Sequence, residues 1–183
     1  MDNTLRKMKR NQGLTLIETL IAVAVGVVAL IGALVLYPSI QKNQQEENVL
    51  TALNSLDVNI TKAFSTQGNY NGLSDQTAIQ MGLVPDDLTV NTSNNTITDP
   101  WGGAVTLAPN SSNPQQFTIT FANIPLSQCL NIVSQFIPDN LVAISGAGSV
   151  QITNVSQARQ NAVANAQTVC GSTDPVPQVT WTL

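Results

Sequence analysis

From Leu14 to Tyr37 the chain runs through 24 residues with a single charge, Glu18, directly after a basic leader. The leader, residues 1–13, holds Arg6, Lys7, Lys9 and Arg10 against one acid, Asp2. As a helix the apolar run would reach about 36 Å, enough for the hydrocarbon core of a bilayer. The basic residues place the N-terminus on the cytoplasmic side, so everything beyond Tyr37 is expected across the membrane. A cleaved secretory signal would have a shorter apolar region and a small-residue cleavage site behind it. Here Tyr37-Pro38 follows, and Glu18 interrupts the front of the run. An apolar helix that stays with the protein is therefore expected.

Glu18 needs a physical reason. A carboxylate inside a membrane helix costs roughly 2.5–3.5 kcal/mol on insertion scales, less near the interface, and such groups usually pair. One reading has Glu18 reaching back to interfacial water. The other follows from a cut between Gly13 and Leu14, which would create an α-amino group on the same apolar segment. When such helices pack side by side, that amine could meet Glu18 of a neighbouring subunit. The carboxylate would then set register in an assembly.

Gly13-Leu14-Thr15-Leu16-Ile17-Glu18, behind a basic leader and ahead of an apolar helix, resembles the processing motif of type IV pilins. The resemblance implies cleavage after Gly13 by a prepilin peptidase, N-methylation of Leu14, and a role for Glu18 in filament assembly. Leu14 stands where type IVa pilins usually have Phe, and the leader is longer than is usual in that branch. The leader is also shorter than many type IVb leaders; the two points lean towards that branch, within which the chain is compared to the PilS-like pilins. Asp99-Pro100-Trp101-Gly102-Gly103 resembles a turn of many pilins and pseudopilins, and reads equally as a hairpin turn with an aromatic anchor. The implied fold is α+β: the type IV pilin fold, a long N-terminal helix packed on an antiparallel sheet with a C-terminal disulfide-bounded region.

The remaining sequence fits that layout. Val49, Leu53, Leu56, Ile60 and Phe64 recur at helical spacing and form one apolar stripe. One helix from about Leu14 to Phe64 is predicted, weakened at Gly26 and Gly32 and kinked near Pro38. The expected organisation is a leader at 1–13, a long helix at 14–66 whose first part, 14–37, forms the membrane span and filament core, and a head at 67–183. Phe117–Phe121 and Val179–Leu183 alternate strictly and are predicted strands. Ala104–Leu107, Leu141–Ile144 and Val150–Ile152 are weaker strand candidates. Helices are predicted at Leu126–Phe136, with Leu126, Cys129, Leu130, Val133 and Phe136 on one face, and at Ser156–Val169, with Ser156 as N-cap. The two cysteines, Cys129 and Cys170, read as a disulfide in an exported protein and as buried thiols in a cytosolic one. The N-terminus favours the bridge.

The composition excludes several kinds of chemistry. There is no His, which removes the commonest general base and any Ser–His or Cys–His nucleophile. Asp86-Asp87 follows Pro85 and reads as a solvated turn. Ser145–Ser149 contains a Gly-x-Gly but lacks the rest of a phosphate loop. The Asn-x-Ser/Thr triplets carry no glycan in this reading. No catalytic residue, cofactor or metal is expected. Removing the leader leaves Lys42, Lys62 and Arg159 against ten acidic side chains, so no nucleic-acid partner is expected. Lys42 and Arg159 are candidates for pairing with Glu46, Glu47 or Asp residues across subunits.

The sequence thus points to a non-enzymatic structural subunit of a type IV pilus. It would be held in the inner membrane as a prepilin, then polymerised with copies of itself into a surface filament. Expected partners are the prepilin peptidase, the inner-membrane assembly machinery and a host or recipient cell surface. Adhesion, mating-pair contact and aggregation all remain open as roles of the filament. The alternatives are a minor pilin or type II secretion pseudopilin and, from another class, a signal-anchored periplasmic binding protein.

Overall fold

The computed structural model describes residues 16–147, 152–153 and 155–183, with the side chains of 33–40 left out. The chain divides into two compact units at Lys42 and Asn43, taken here in turn.

The first helix, α1 (Leu16–Phe64), is assigned without a break, Pro38 included. In the first unit its described side chains, 16–32, are exposed on every side. In the second unit the predicted stripe holds: Val49, Leu53, Leu56 and Ile60 are completely buried, and Phe64 nearly so. The apolar pattern and the burial pattern coincide because one side of a 3.6-residue helix faces a single core.

That core is shared with a six-stranded, wholly antiparallel sheet. After a short helix α2 (Asp75–Gln80) come β1 (Thr89–Asn91), β2 (Thr96–Thr98), β3 (Ala104–Pro109) and β4 (Phe117–Ile124). Then follow α3 (Leu126–Gln135), β5 (Ala143–Gly146), α4 (Val155–Gln160), α5 (Ala162–Cys170) and β6 (Val176–Thr182). The strand order is β1-β2-β3-β4-β6-β5, so the last strand inserts between β4 and β5. Register aligns apolar side chains in rows: Leu107, Ile119, Trp181 and Ile144 pair across four strands, as do Val105, Phe121 and Val179. The alternate residues make a hydroxyl row on the other face, Thr106, Thr120, Thr180 and Ser145. Trp181 meets the edges of Phe121 and Phe136 in T-shaped contacts, a favoured aromatic geometry.

Two expectations change. The helix expected at Ser156–Val169 is two helices, because Asn161 leaves helical geometry at φ −124° and ψ 36°. Asn165 compensates: its Nδ2 donates to the Gln157 and Ala158 carbonyls at the end of α4. Asn side chains compete well for backbone groups, which favours such a break. Ser156 lies inside α4 and does not precede it. Val150 and Gln151, part of a predicted strand, lie outside the described residues; Ile152 makes a single bridge to Ile144. The hairpin of β1 and β2 escaped prediction because three-residue strands carry almost no periodicity.

Candidate assembly site and head

Gly13 and Leu14, the expected cleavage and methylation positions, lie outside the described residues. Glu18 stands in the first turn of α1 among exposed apolar side chains, with Leu16 80% and Ile17 68% exposed. Leu20, Ile21, Val25, Val28 and Ile31 continue that surface. Apolar residues all round a helix mean a surface that must be covered, by lipid or by other helices. Among the described residues no helix is long and apolar enough to cross a membrane. The expected span, Leu14–Tyr37, extends past the described side chains at both ends.

In the second unit, polar contacts fix the start of the stripe-bearing part of α1. Gln45 Oε1 accepts from the Trp101 indole at 3.1 Å. Glu46 accepts from Asn131 Nδ2 at 2.9 Å and Gln135 Nε2 at 3.1 Å, tying α1 to α3. Further along, Asn59 Nδ2 donates to the Leu83 carbonyl, and Asp57 Oδ1 accepts from Asn140 Nδ2. The sequence suggested Glu46 and Arg159 as partners of other subunits. Within the chain, Glu46 holds two amides and Arg159 pairs with Asp139 at 2.6 Å while also donating to the Ile137 carbonyl. Amide donors such as Asn131 and Gln135 have no sequence signal of their own; an exposed helix face rich in Asn and Gln is the only hint.

Cys129 and Cys170 are joined, with Cα atoms 6.0 Å apart and both side chains completely buried. The bridge links α3 to the last residue of α5. The face of α3 is slightly rotated from expectation: Cys129, Ile132, Val133 and Phe136 are buried, while Leu126 and Leu130 are half-buried at its edge.

The Asp99–Gly103 turn is more tightly built than a plain hairpin turn. Asp99 Oδ1 accepts from the backbone N–H of Trp101 at 2.9 Å and of Gly103 at 2.8 Å. Gly102 adopts φ +85°, a conformation open to glycine at little cost. Burial pushes the Asp99 carboxyl above its ordinary value, opposed by the N–H groups of Gly103, Trp101 and Gly102. Asp75 is likewise raised by burial, opposed by the Leu107 N–H that it accepts at 2.6 Å. Asp86 and Asp87 form a turn, as expected. Among the described residues no group of three or more acidic or Cys side chains could hold a metal ion.

A long helix with a largely apolar, exposed first part and a disulfide-closed helix-on-sheet head fit the layout of a type IV pilin. Comparison with known proteins gives the same answer. The Bundlin family model matches residues 38–183, and the prokaryotic N-terminal methylation motif matches residues 8–34. The chain belongs to the Bundlin family. The major structural subunits of the bundle-forming pilus from Escherichia coli O127:H6 and O111:H- are each 24% identical, over 99% of this chain and 98% of theirs. A type IVb pilin from Salmonella typhi shares the fold at a TM-score of 0.54, with 19% identity over 72% of this chain and 95% of that one. TcpA, a type IV pilin from Vibrio cholerae El Tor biotype, does so at 0.54 and 19%, over 76% and 99%. The family is structural, not enzymatic.

Proposed function

We propose that this chain is the major structural subunit of a type IVb pilus, made as a prepilin and polymerised with copies of itself. The observation that carries this is the combination of the Bundlin match with the methylation-motif match across the segment that holds Gly13, Leu14 and Glu18. In this reading a prepilin peptidase cuts after Gly13 and Leu14 is N-methylated. Before assembly the apolar helix of 14–37 rests in the inner membrane; afterwards helix–helix contact replaces lipid contact in the filament core. Glu18 meets the α-amino group of a neighbour's Leu14 and sets register, a charge pair in a low-dielectric setting where it is strong. The inner-membrane assembly machinery delivers subunits, and in the filament the head is extracellular. There it is available to a host or recipient cell surface.

Mass spectrometry of sheared surface filaments tests this. The expected species is a chain that begins at methylated Leu14. An unprocessed chain confined to membranes, with no filaments containing it, would overturn the proposal.

A further inference from the structure

Among the described residues Asp99 is the one buried carboxyl, with 3% of its surface exposed. Its two oxygens are in unlike positions. Oδ1 is saturated by the Trp101 and Gly103 N–H groups, while Oδ2 has no hydrogen-bond partner. A buried acceptor left without a donor is costly. The surroundings of Oδ2 make the cost specific. A Cβ built on Gly103 would lie 2.8 Å from Asp99 Oδ2 and 1.9 Å from the Ala122 carbonyl oxygen of β4. Both oxygens therefore border the space over the Gly103 Cα, where a side chain would otherwise stand.

Among the described residues no charged side chain acts on this carboxyl. Within the turn its contacts are backbone N–H groups of Trp101, Gly102 and Gly103. From β4 comes the uncharged backbone of Ala122. From α1 comes uncharged Gln45, by way of the Trp101 indole. Glu46, next along α1, is turned to Asn131 and Gln135 of α3.

We propose that Asp99 is a proton-operated latch in the head: a proton on Oδ2 donates to the Ala122 carbonyl and pins the turn to β4, and its loss sets two acceptors against each other and loosens the turn that holds Trp101 on Gln45. Burial acts in the same direction, since it raises the carboxyl above its ordinary 3.8. A group whose folded-state value is raised stabilises fully below the unfolded value, and that contribution is lost as pH rises through the folded value. The latch is therefore closed below the Asp99 midpoint, which lies above 3.8, and strained above it. Asn at this position would mimic the closed state at all pH values. Its Oδ1 keeps both N–H bonds, and its Nδ2 offers a donor on the side of the Ala122 carbonyl.

The test uses the full chain in detergent micelles. Carboxyl carbon NMR follows the Asp99 titration, while nitrogen-edited spectra follow the Trp101 indole and Gly103 amide. Asp99 is expected to titrate above 3.8, with the Trp101 and Gly103 signals shifting at the same midpoint. The Asp99→Asn variant is expected to melt higher than wild type at pH ~7, with the gap closing towards pH ~4. Titration at or below 3.8, or Trp101 and Gly103 signals that ignore the Asp99 midpoint, overturns the latch. So does a melting difference that is independent of pH. If Asp99→Asn does not fold, the wild-type titration decides alone.

Discussion

Removing the disulfide should loosen one defined part of the head before the rest. The perturbation is Cys129→Ala with Cys170→Ala, which opens a bridge across a sequence separation of 41. The chain-entropy estimate for a loop of that length is about 4 kcal/mol. At the far end of the loop that it encloses, α4 and α5 have little packing to fall back on. In α4 only Ala158 is buried, and in α5 only Ala166, Val169 and Cys170. Burying one Val contributes roughly 2 kcal/mol, and each Ala methyl about 0.8 kcal/mol. The bridge is thus comparable to all the other apolar burial of these two helices. By contrast, the β3–β4–β6 centre holds Leu107, Phe117, Ile119, Phe121, Val179 and Trp181, all at 2% exposure or less. Urea unfolding of the full chain in micelles, followed by Trp fluorescence, measures the global loss. Hydrogen exchange resolved by peptide locates it. The expected result is a loss of about 3–5 kcal/mol, with exchange rising first in α4 and α5 while β4 and β6 stay protected. A loss under about 1 kcal/mol, or exchange rising first in the sheet, would refute the reasoning.

Three further outcomes are expected. Glu18→Ala should abolish filaments in electron micrographs of surface preparations while the head keeps its bridge and its circular dichroism, because Glu18 lies in the first turn of α1 and outside the apolar core. Gly103→Ala should cost more than the about 1–3 kcal/mol of ordinary overpacking, since the new Cβ meets the Ala122 backbone oxygen at 1.9 Å and neither group is a flexible side-chain end; denaturant midpoints measure this. Ile60→Ala, at a fully buried position of the α1 stripe, should lower stability by about 2–5 kcal/mol in the same assay, whereas Val58→Ala, 63% exposed on the other side, should stay within about 0.5 kcal/mol.

Much of the head was legible because its signals are local. The spacing of Val49 to Phe64 gave the buried stripe of α1, and the alternation of Phe117–Phe121 and Val179–Leu183 gave two central strands. The β1–β2 hairpin was illegible because each strand is three residues long, and its turn is made by Asn91 Oδ1 accepting from Ser93 and Asn94. The break at Asn161 was illegible because Ala- and Gln-rich flanks favour helix on both sides of it.

By itself the sequence determined the charge step at Gly13-Leu14, the apolar run that follows, and the periods that sort helix from strand. Those depend on residues two to four positions apart, where side-chain direction is fixed by backbone geometry. Only the tertiary structure decided what each polar group near the core would meet. The N-terminus of α3 carries Pro125 and no cap of its own; Asp174, 48 residues away, accepts the Leu126 N–H. Glu46 is satisfied by Asn131, 85 residues on, and Gln45 by Trp101, 56 residues on. Asp99 and Ala122 both border the space over Gly103 that a side chain would fill. A buried donor or acceptor must be matched by whatever the fold brings near it, and that neighbour is set by sheet order and register, which no short window of sequence contains.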